Sequence, residues 1–588
     1  MLASMLLSTL LAPLFVLATQ TPSTDSLDAY VRALMERRHI SGASIAIIQD
    51  GRIVYARGYG VASDSARTPV TPTTLFQAGS ISKPVSALGA LHLVEAGRLS
   101  LDGNVNDKLT SWRVPDNAFT ATEKVTLRRI LSHSAGLTVH GFPGYDVADR
   151  MPSVVQVLGG APPANTPPIR VDTTPGAIWR YSGGGFTVMQ QMIVDVTGTP
   201  FPKFLEQTVL RPIGMTSSSF EQPPLPARAA LTATGYYADR KPVRGHWHVY
   251  PEMAAAGLWT TPTDLARFAI EIQQTLAGHG HGVISPAMAR QYLTAQKGQS
   301  GLGIVVQDTG SRLSFSHGGR DEGFDAQLVA FATTGQGAVI MINANDNSRF
   351  FGRVLDFIGR MYAWPPLGPA RSAPAGTRAV PIDSARLASY AGWYEFRENQ
   401  MITLVPTKTR TGIETLTDGL PDEAFLQIDA TDTARFGSTE RGMRIAFQRG
   451  GVVWRLGEGP PNERTVPRLA PQPSSRAAIP DPDGALTARI MAALVALRTQ
   501  GTALSEAPDI PAGTKQDFTG WMGVTQLEGL TTPVFLGEED VSGRGVRRHG
   551  SDVARVRFYR VTTKAGSTYL LAHLTAQGSL ADFDLVES

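Results

Sequence analysis

The sequence predicts an α+β protein: an antiparallel sheet flanked by helices with a helical subdomain, then a small all-β barrel-like domain and a small α+β domain. Three observations predict it. Strand patterns sit at both ends of the first 365 residues, with helical patterns between them. From Leu387 to Leu456 the pattern changes to short alternating strands. Beyond residue 484 an apolar-periodic helix is followed by strands again.

A chain of 588 residues is too long for one core. The expected division is 22–365, a Pro/Ala/Gly-rich linker at 366–382, the all-β domain at 383–469, a second linker at 470–483, and the last domain at 484–588. With 42% hydrophobic and 18% charged residues, wholesale disorder is excluded. The net charge of +3, with both signs interspersed, offers no stripe for nucleic acid and no polybasic membrane patch. The absence of cysteine removes disulfides, thiol nucleophiles and thiolate metal sites together. Residues 1–19 are apolar and close on a small-x-small site at Val16-Leu17-Ala18, which reads as a signal peptide and implies export to the periplasm. The alternative is an uncleaved N-terminal anchor, since the segment opens without Lys or Arg. No later segment reaches the ~20 apolar residues of a spanning helix.

In chain order, Asp25 to Arg38 is amphipathic and helical (Leu27, Tyr30, Val31, Leu34, Met35). Ala43 to Ile48 and Ile53 to Arg57 are strands joined by the hairpin pair Asp50-Gly51. Ile81 to Ala96 is a helix apolar nearly all round, hence buried, and Gly97 stops it. Leu127 to Gly136 is a short helix entering a loop, and the Gly/Pro-rich run from 141 to 174 is a long surface segment. Phe186 to Thr197 and Phe201 to Leu210 are helical. Thr261-Pro262-Thr263-Asp264 is a capping box opening Leu265 to Gln274. Leu313 to Ser316, Gln327 to Thr333 and Gly337 to Asn343 are strands, and Ser348 to Tyr362 is the last helix of this part.

Ser80 sits at the N-cap position of the buried helix, and Lys83 lies three residues on, on a neighbouring face. No other lysine of the chain has a serine three residues before it. A hydroxyl becomes a nucleophile when a nearby base takes its proton. An amine in an apolar surround holds its own proton less tightly and serves as such a base. The N–H groups of a helix start face an oxygen that turns negative in acyl transfer. The bland alternative is a cap beside a solvated lysine.

Two further stretches add to it. In Arg180-Tyr181-Ser182-Gly183-Gly184-Gly185, a phenol held near Lys83 would carry the proton of Ser80, and the glycines allow close approach. In Ser316-His317-Gly318-Gly319-Arg320, glycines at a strand end leave a wall against which an extended substrate lies. The Arg320 N–H is then a second oxyanion donor beside that of Ser80.

Ser80-Ile81-Ser82-Lys83, then Tyr181-Ser182-Gly183, then His317-Gly318-Gly319 resemble the three ordered motifs of the class C β-lactamase and penicillin-binding-protein-like serine hydrolases, Ser-x-x-Lys, Tyr-x-Asn and Lys-Thr-Gly or His-x-Gly. Leu131-Ser132-His133-Ser134-Ala135-Gly136-Leu137 and the run Ala256 to Leu265 also resemble family signatures. The resemblance covers about residues 25–365 and implies a β-lactamase/transpeptidase-like fold. It implies Ser80 as nucleophile, Lys83 and Tyr181 as the base pair with the immediate base left open, and His317 at the place of the third-motif lysine. It further implies a covalent acyl-enzyme, a small-molecule or short-peptide substrate, no metal and no organic cofactor. The all-β region loosely resembles the lipocalin-like domains appended to such hydrolases.

Two departures shape the expected activity. Gly183 stands where the motif has asparagine, and His317 replaces a permanent cation with a group whose ordinary pKa is about 6.5. Both favour an esterase, amidase or D-amino-acid peptidase over a β-lactamase, with Arg320 as the contact for a substrate carboxylate. The alternative is a degenerate recognition protein that acylates slowly or not at all. Oligomeric state is not legible from the sequence.

Overall fold

The computed structural model describes residues 24–587 except 238–239, 308–309, 347–348, 366–378, 408–411, 418–419, 439–442, 457–462, 472–477, 500–506, 508, 519–526, 528 and 564–565. The expected signal peptide, residues 1–19, most of the first expected linker, and residues 472–477 of the second lie outside the described residues. The chain divides into two compact units, residues 1–367 and 368–588.

The first unit is built on seven antiparallel strands: β1 (Gly42–Gln49), β2 (Arg52–Ser63), β3 (Thr68–Pro69), β4 (Val305–Gln307), β5 (Ser314–Asp321), β6 (Phe324–Phe331) and β7 (Gly337–Ile342). Their spatial order is β3-β2-β1-β7-β6-β5-β4. The two ends of the sequence meet in the middle, with Ala43 opposite Ile342 and Ile48 opposite Gly337. β1 and β2 are joined through Asp50 and Gly51, both left-handed at φ +53° and +67°, as a tight hairpin of this twist requires. β1 is buried on both faces, and the Pro262–Leu276 helix packs across β1 and β7 on one of them. That helix starts as its sequence predicts: Thr261 accepts the N–H of Asp264 at 3.1 Å and Pro262 takes the first turn. The Asp264 carboxylate turns instead to Ser217 and Ser218.

Three local expectations change. Ser80 is not a helix N-cap: it lies inside a 3-10 turn, Gly79–Ile81, and the α-helix runs from Ser82 to Glu95. The glycines 183–185 are not a loop but the first turn of the Gly183–Thr197 helix, with Ser182 as N-cap accepting from Gly185 at 3.0 Å. His317, Gly318 and Gly319 lie within β5, which continues to Asp321. Pairing with β6 overrides the weak strand propensity of glycine there.

The second unit contains a closed barrel of eight strands between Gly392–Arg397 and Glu463–Pro471, the first paired to the last. The alternation in the sequence marks five of them, as Tyr390 to Phe396, Ile402 to Pro406, Phe425 to Ile428, Ile445 to Gln448 and Val452 to Arg455. Tyr394, Leu404, Ile413, Phe425, Phe436, Ile445, Val452, Trp454 and Val466 form one cluster that fills the barrel. A four-stranded sheet follows, from Val534–Asp540 to Leu580–Glu587, packed against the Gly484–Thr499 helix. Barrel and sheet share a second core, in which Trp393, Leu469 and Ala470 meet Leu536, Phe558 and Leu571. Among the described residues no helix is long and apolar enough to cross a membrane.

Candidate active site

The Ser82–Glu95 helix is apolar on all sides and is buried from Ser82 to Leu91. Its entry is pinned by Ser82, whose hydroxyl donates to Gly79 O at 2.6 Å and accepts the N–H of Leu258 at 2.9 Å. The buried helix carries Lys83 inward, to 2% exposure, while Ser80 stays half-buried on the turn before it. Lys83 Nζ donates to Ser80 Oγ at 2.8 Å and to the carbonyl of Ala255 at 2.8 Å. Its remaining surroundings are aromatic, the Tyr181 ring centre at 4.9 Å and that of Phe186 at 5.8 Å.

The Ala255 carbonyl is itself fixed. It lies on the short Met253–Ala256 turn, which Gln190 clasps by donating to Pro251 O and accepting from Ala254 N, both at 2.9 Å. At the head of that turn Glu252 is fully buried with neither carboxyl oxygen hydrogen-bonded, and burial pushes its pKa up to about 8.

β5 passes directly beneath the Ser80 turn. Gly79, at φ +50°, would place a Cβ 2.4 Å from the Arg320 nitrogen. A Cβ on Gly319 would fall 1.9 Å from Ala78 O and 3.2 Å from the Ser80 nitrogen. Two side-chain-free residues therefore let the turn lie on the edge of the strand, and the Ser80 and Arg320 amides line that seam. The side chain of Arg320 turns away into a two-pronged pair with Asp325, both contacts 2.7 Å. A substrate carboxylate has to compete with Asp325 for it. Asp321, next along, is buried, and neither oxygen receives a well-aligned hydrogen bond. Burial raises its pKa well above the usual carboxylate range, against the opposing pull of Lys83 and the Gly79 amide.

His317 is 6% exposed, and its Nδ1–H donates to Gly318 O at 2.6 Å. Burial, helped by the charge of Lys83, lowers its pKa to about 4. At neutral pH it is an uncharged imidazole, not a substitute cation. The missing side chain at Gly183 is also accounted for: a Cβ there would stand 3.0 Å from His140 O and 3.1 Å from the Phe142 ring.

The structure thus brings Ser80, Lys83, Tyr181, His317 and the 318–320 backbone together. Sequence reasoning missed His133, which is 6% exposed and stacks on Tyr181 with ring centres 4.2 Å apart. A histidine amid small and apolar residues in Leu131 to Leu137 was the available signal. It also missed Ala255, which acts through a carbonyl and leaves no residue-type signal. No group of three or more potential metal ligands is assembled among the described residues.

A hydroxyl held by a buried amine, beside two converging amides and a phenol, on a sheet backed by helices, defines the serine hydrolases of the β-lactamase/transpeptidase-like fold. The sequence signature of the Beta-lactamase family matches residues 27–359, more than half of the chain, and the chain belongs to that family. It is 29% identical to a β-lactamase of Pseudomonas fluorescens over 41% of this chain and 62% of the relative. It is 30% identical to the esterase EstB of Burkholderia gladioli over 34% of this chain and 55% of the relative. The chain therefore spans less than two thirds of the length of either relative. The octameric penicillin-binding protein homologue from Pyrococcus abyssi, 19% identical, superposes with a TM-score of 0.50 over 76% of this chain and all of that one, a likeness of fold alone.

Proposed function

We propose that the protein hydrolyses a small ester, amide or D-amino-acid peptide through a covalent acyl-enzyme on Ser80. The 2.8 Å contact between Ser80 Oγ and the buried Lys83 Nζ carries this reading. With Nζ unprotonated, Oγ attacks the acyl carbon and its proton passes to Nζ, directly or through the Tyr181 phenol. The carbonyl π electrons move onto oxygen, which the Ser80 and Arg320 N–H groups receive. Collapse expels the leaving group, which takes the proton, and water then attacks the acyl-serine by the same route in reverse. Neutral His317, Gly318 and Gly319 form the wall along which the substrate lies.

Within the family, two features favour esters and simple amides over β-lactams. His317 brings no positive charge to grip a carboxylate, and Arg320 is already paired with Asp325. The similarity to the esterase points the same way. Residues 1–19 are read as an export signal, so the reaction is assigned to the periplasm, which fractionation of expressing cells tests.

The decisive experiment treats the purified chain with a fluorophosphonate and with nitrocefin, short p-nitrophenyl esters and D-Ala dipeptides. Labelling confined to Ser80, with turnover of an ester or dipeptide exceeding that of nitrocefin, is the expected result. Labelling without turnover of any of them establishes the recognition-protein alternative, which the bare Gly183 favours. Failure to label Ser80 sinks the hydrolase reading and leaves a recognition protein that does not acylate at all.

A further inference from the structure

Tyr181 is surrounded by imidazoles. His133 lies face to face with it, the planes 28° apart and the centres 4.2 Å apart. His140 follows at 4.9 Å and His317 at 6.3 Å. Of the three, His133 also holds the chain on both sides of the tyrosine. Its Nδ1 accepts the N–H of Ser182 at 3.2 Å, and its backbone carbonyl accepts the N–H of Arg180 at 2.8 Å. Because Nδ1 accepts, the neutral ring carries its proton on Nε2.

This arrangement is held under strain and under packing. His133 has φ +55°, the left-handed region that residues other than glycine enter at a cost. Phe186 at 5.4 Å and Trp179 at 6.3 Å between ring centres close around the imidazole. The charged and titratable groups facing it are Lys83 from the buried helix, His317 from β5 and His140 from the preceding loop. Burial first, and these three groups after it, hold its pKa well below the usual histidine value, so it stays neutral.

We propose that His133 is the positioning residue for Tyr181: an uncharged imidazole, stacked on the phenol and bonded to the backbone on either side of it, that sets the ring against Lys83 before substrate arrives. This rests on the reading of Tyr181 as one member of the base pair. A phenol placed just before a helix start has two side-chain torsions to fix and a backbone outside the helix's own hydrogen bonds. The stack restrains the torsions and the two hydrogen bonds restrain the backbone. Protonation of His133 at Nδ1 would remove the acceptor of the Ser182 N–H and place a second cation beside Lys83.

The test is a double-mutant cycle read with a short p-nitrophenyl ester and with the rate of fluorophosphonate labelling at Ser80. His133→Asn suits the left-handed backbone and keeps an acceptor for the Ser182 N–H, but removes the ring. It should lower kcat by ~10–100-fold, with KM within about twofold and the thermal midpoint nearly unchanged. In a Tyr181→Phe background the same substitution should cost less than about threefold, because its route of action is already gone. His133→Phe, which restores a stacking ring without the acceptor, should recover part of the loss. Wild-type kcat in His133→Asn overturns the proposal, and so does an equal loss with and without the phenol. If Tyr181→Phe is itself fully active, or Ser80 in the wild type is never labelled, the underlying reading has failed instead. Should His133→Asn not fold, the cycle is run with His133→Phe and the same criterion of non-additivity.

Discussion

Lys83 and Arg548 are both buried cations, and they live in opposite company. Arg548, in the second unit, is fully buried and meets three carboxylates: Glu395 at 2.6 Å, Asp582 at 2.7 Å and Asp584 at 2.9 Å. Burial works to lower its proton affinity, and the attraction of Asp584, Asp582 and Glu395 overturns that, raising it further. Lys83 meets a hydroxyl, a peptide carbonyl and the face of a phenol, and no carboxylate oxygen within ion-pair distance among the described residues. The first cation ties barrel strand to sheet and never gives up a proton. The second has only neutral partners in contact: a hydroxyl, a carbonyl and an aromatic face. Burial alone therefore does not mark a functional cation; the charge of its partners does.

Substitution of each cation by methionine tests the contrast most severely. Lys83→Met should lower kcat by ~10³–10⁴-fold with little change in the thermal midpoint, and retention of ester turnover would break the comparison. Arg548→Met leaves three carboxylates facing one another without compensation, and should destabilise the second unit by ~3–5 kcal/mol in denaturant titration while kcat stays unchanged. Gly319→Ala forces a methyl group against Ala78 O, so the two amides part. Acylation should slow by ~10²–10³-fold, read as the rate of Ser80 labelling, with a loss of stability of about 1–3 kcal/mol as the backbone gives way. Tyr181→Phe should lower kcat by ~10²-fold with KM little changed.

The smallest effect is a pH dependence of stability. The folded pKa of His317 lies at about 4, below the ordinary 6.5 of the unfolded chain. Between these values the unfolded state binds the extra proton, so the contribution of His317 is present above pH 6.5 and is lost as pH falls to about 4. Relative to wild type, His317→Gln should gain about 1.4 kcal/mol per pH unit across that window, measured by chemical denaturation. Glu252 acts with the opposite sign: its raised folded value costs stability as pH climbs from 4.5 toward 8. Only the difference between variant and wild type therefore isolates the histidine.

The parts of this molecule that were legible in the sequence are those fixed by near neighbours. Asp50-Gly51 announced a hairpin, Thr261-Pro262 a helix start, and an all-round apolar stretch the burial of the helix behind Ser80. Spacing put Ser80 and Lys83 within reach of each other, and the ordered motifs brought Tyr181 and His317 to them. What stayed hidden was decided by distant partners. Whether Ser80 caps the helix or sits in the turn before it depends on Leu258, whose N–H donates to the hydroxyl of Ser82, 176 residues before it in the chain. The glycines at 183–185 are helical because the 138–142 segment lies on them, with Gly183 and Gly184 donating to His140 and Val139 carbonyls. In the barrel, Arg435–Ser438 is four residues long and carries Gly437, too short to show alternation, yet ring closure recruits it as a strand.

The ladder that sets Ala43 opposite Ile342 reaches back to the ribosome. At about 5–20 residues per second, β1 is synthesised roughly 15–60 s before β7. For that interval the Lys83 helix, greasy on every side, has nothing to lie beneath. The nascent first unit thus stays unfinished until almost its last strand is synthesised, and a chain released before residue 342 is an aggregate in waiting rather than a smaller enzyme.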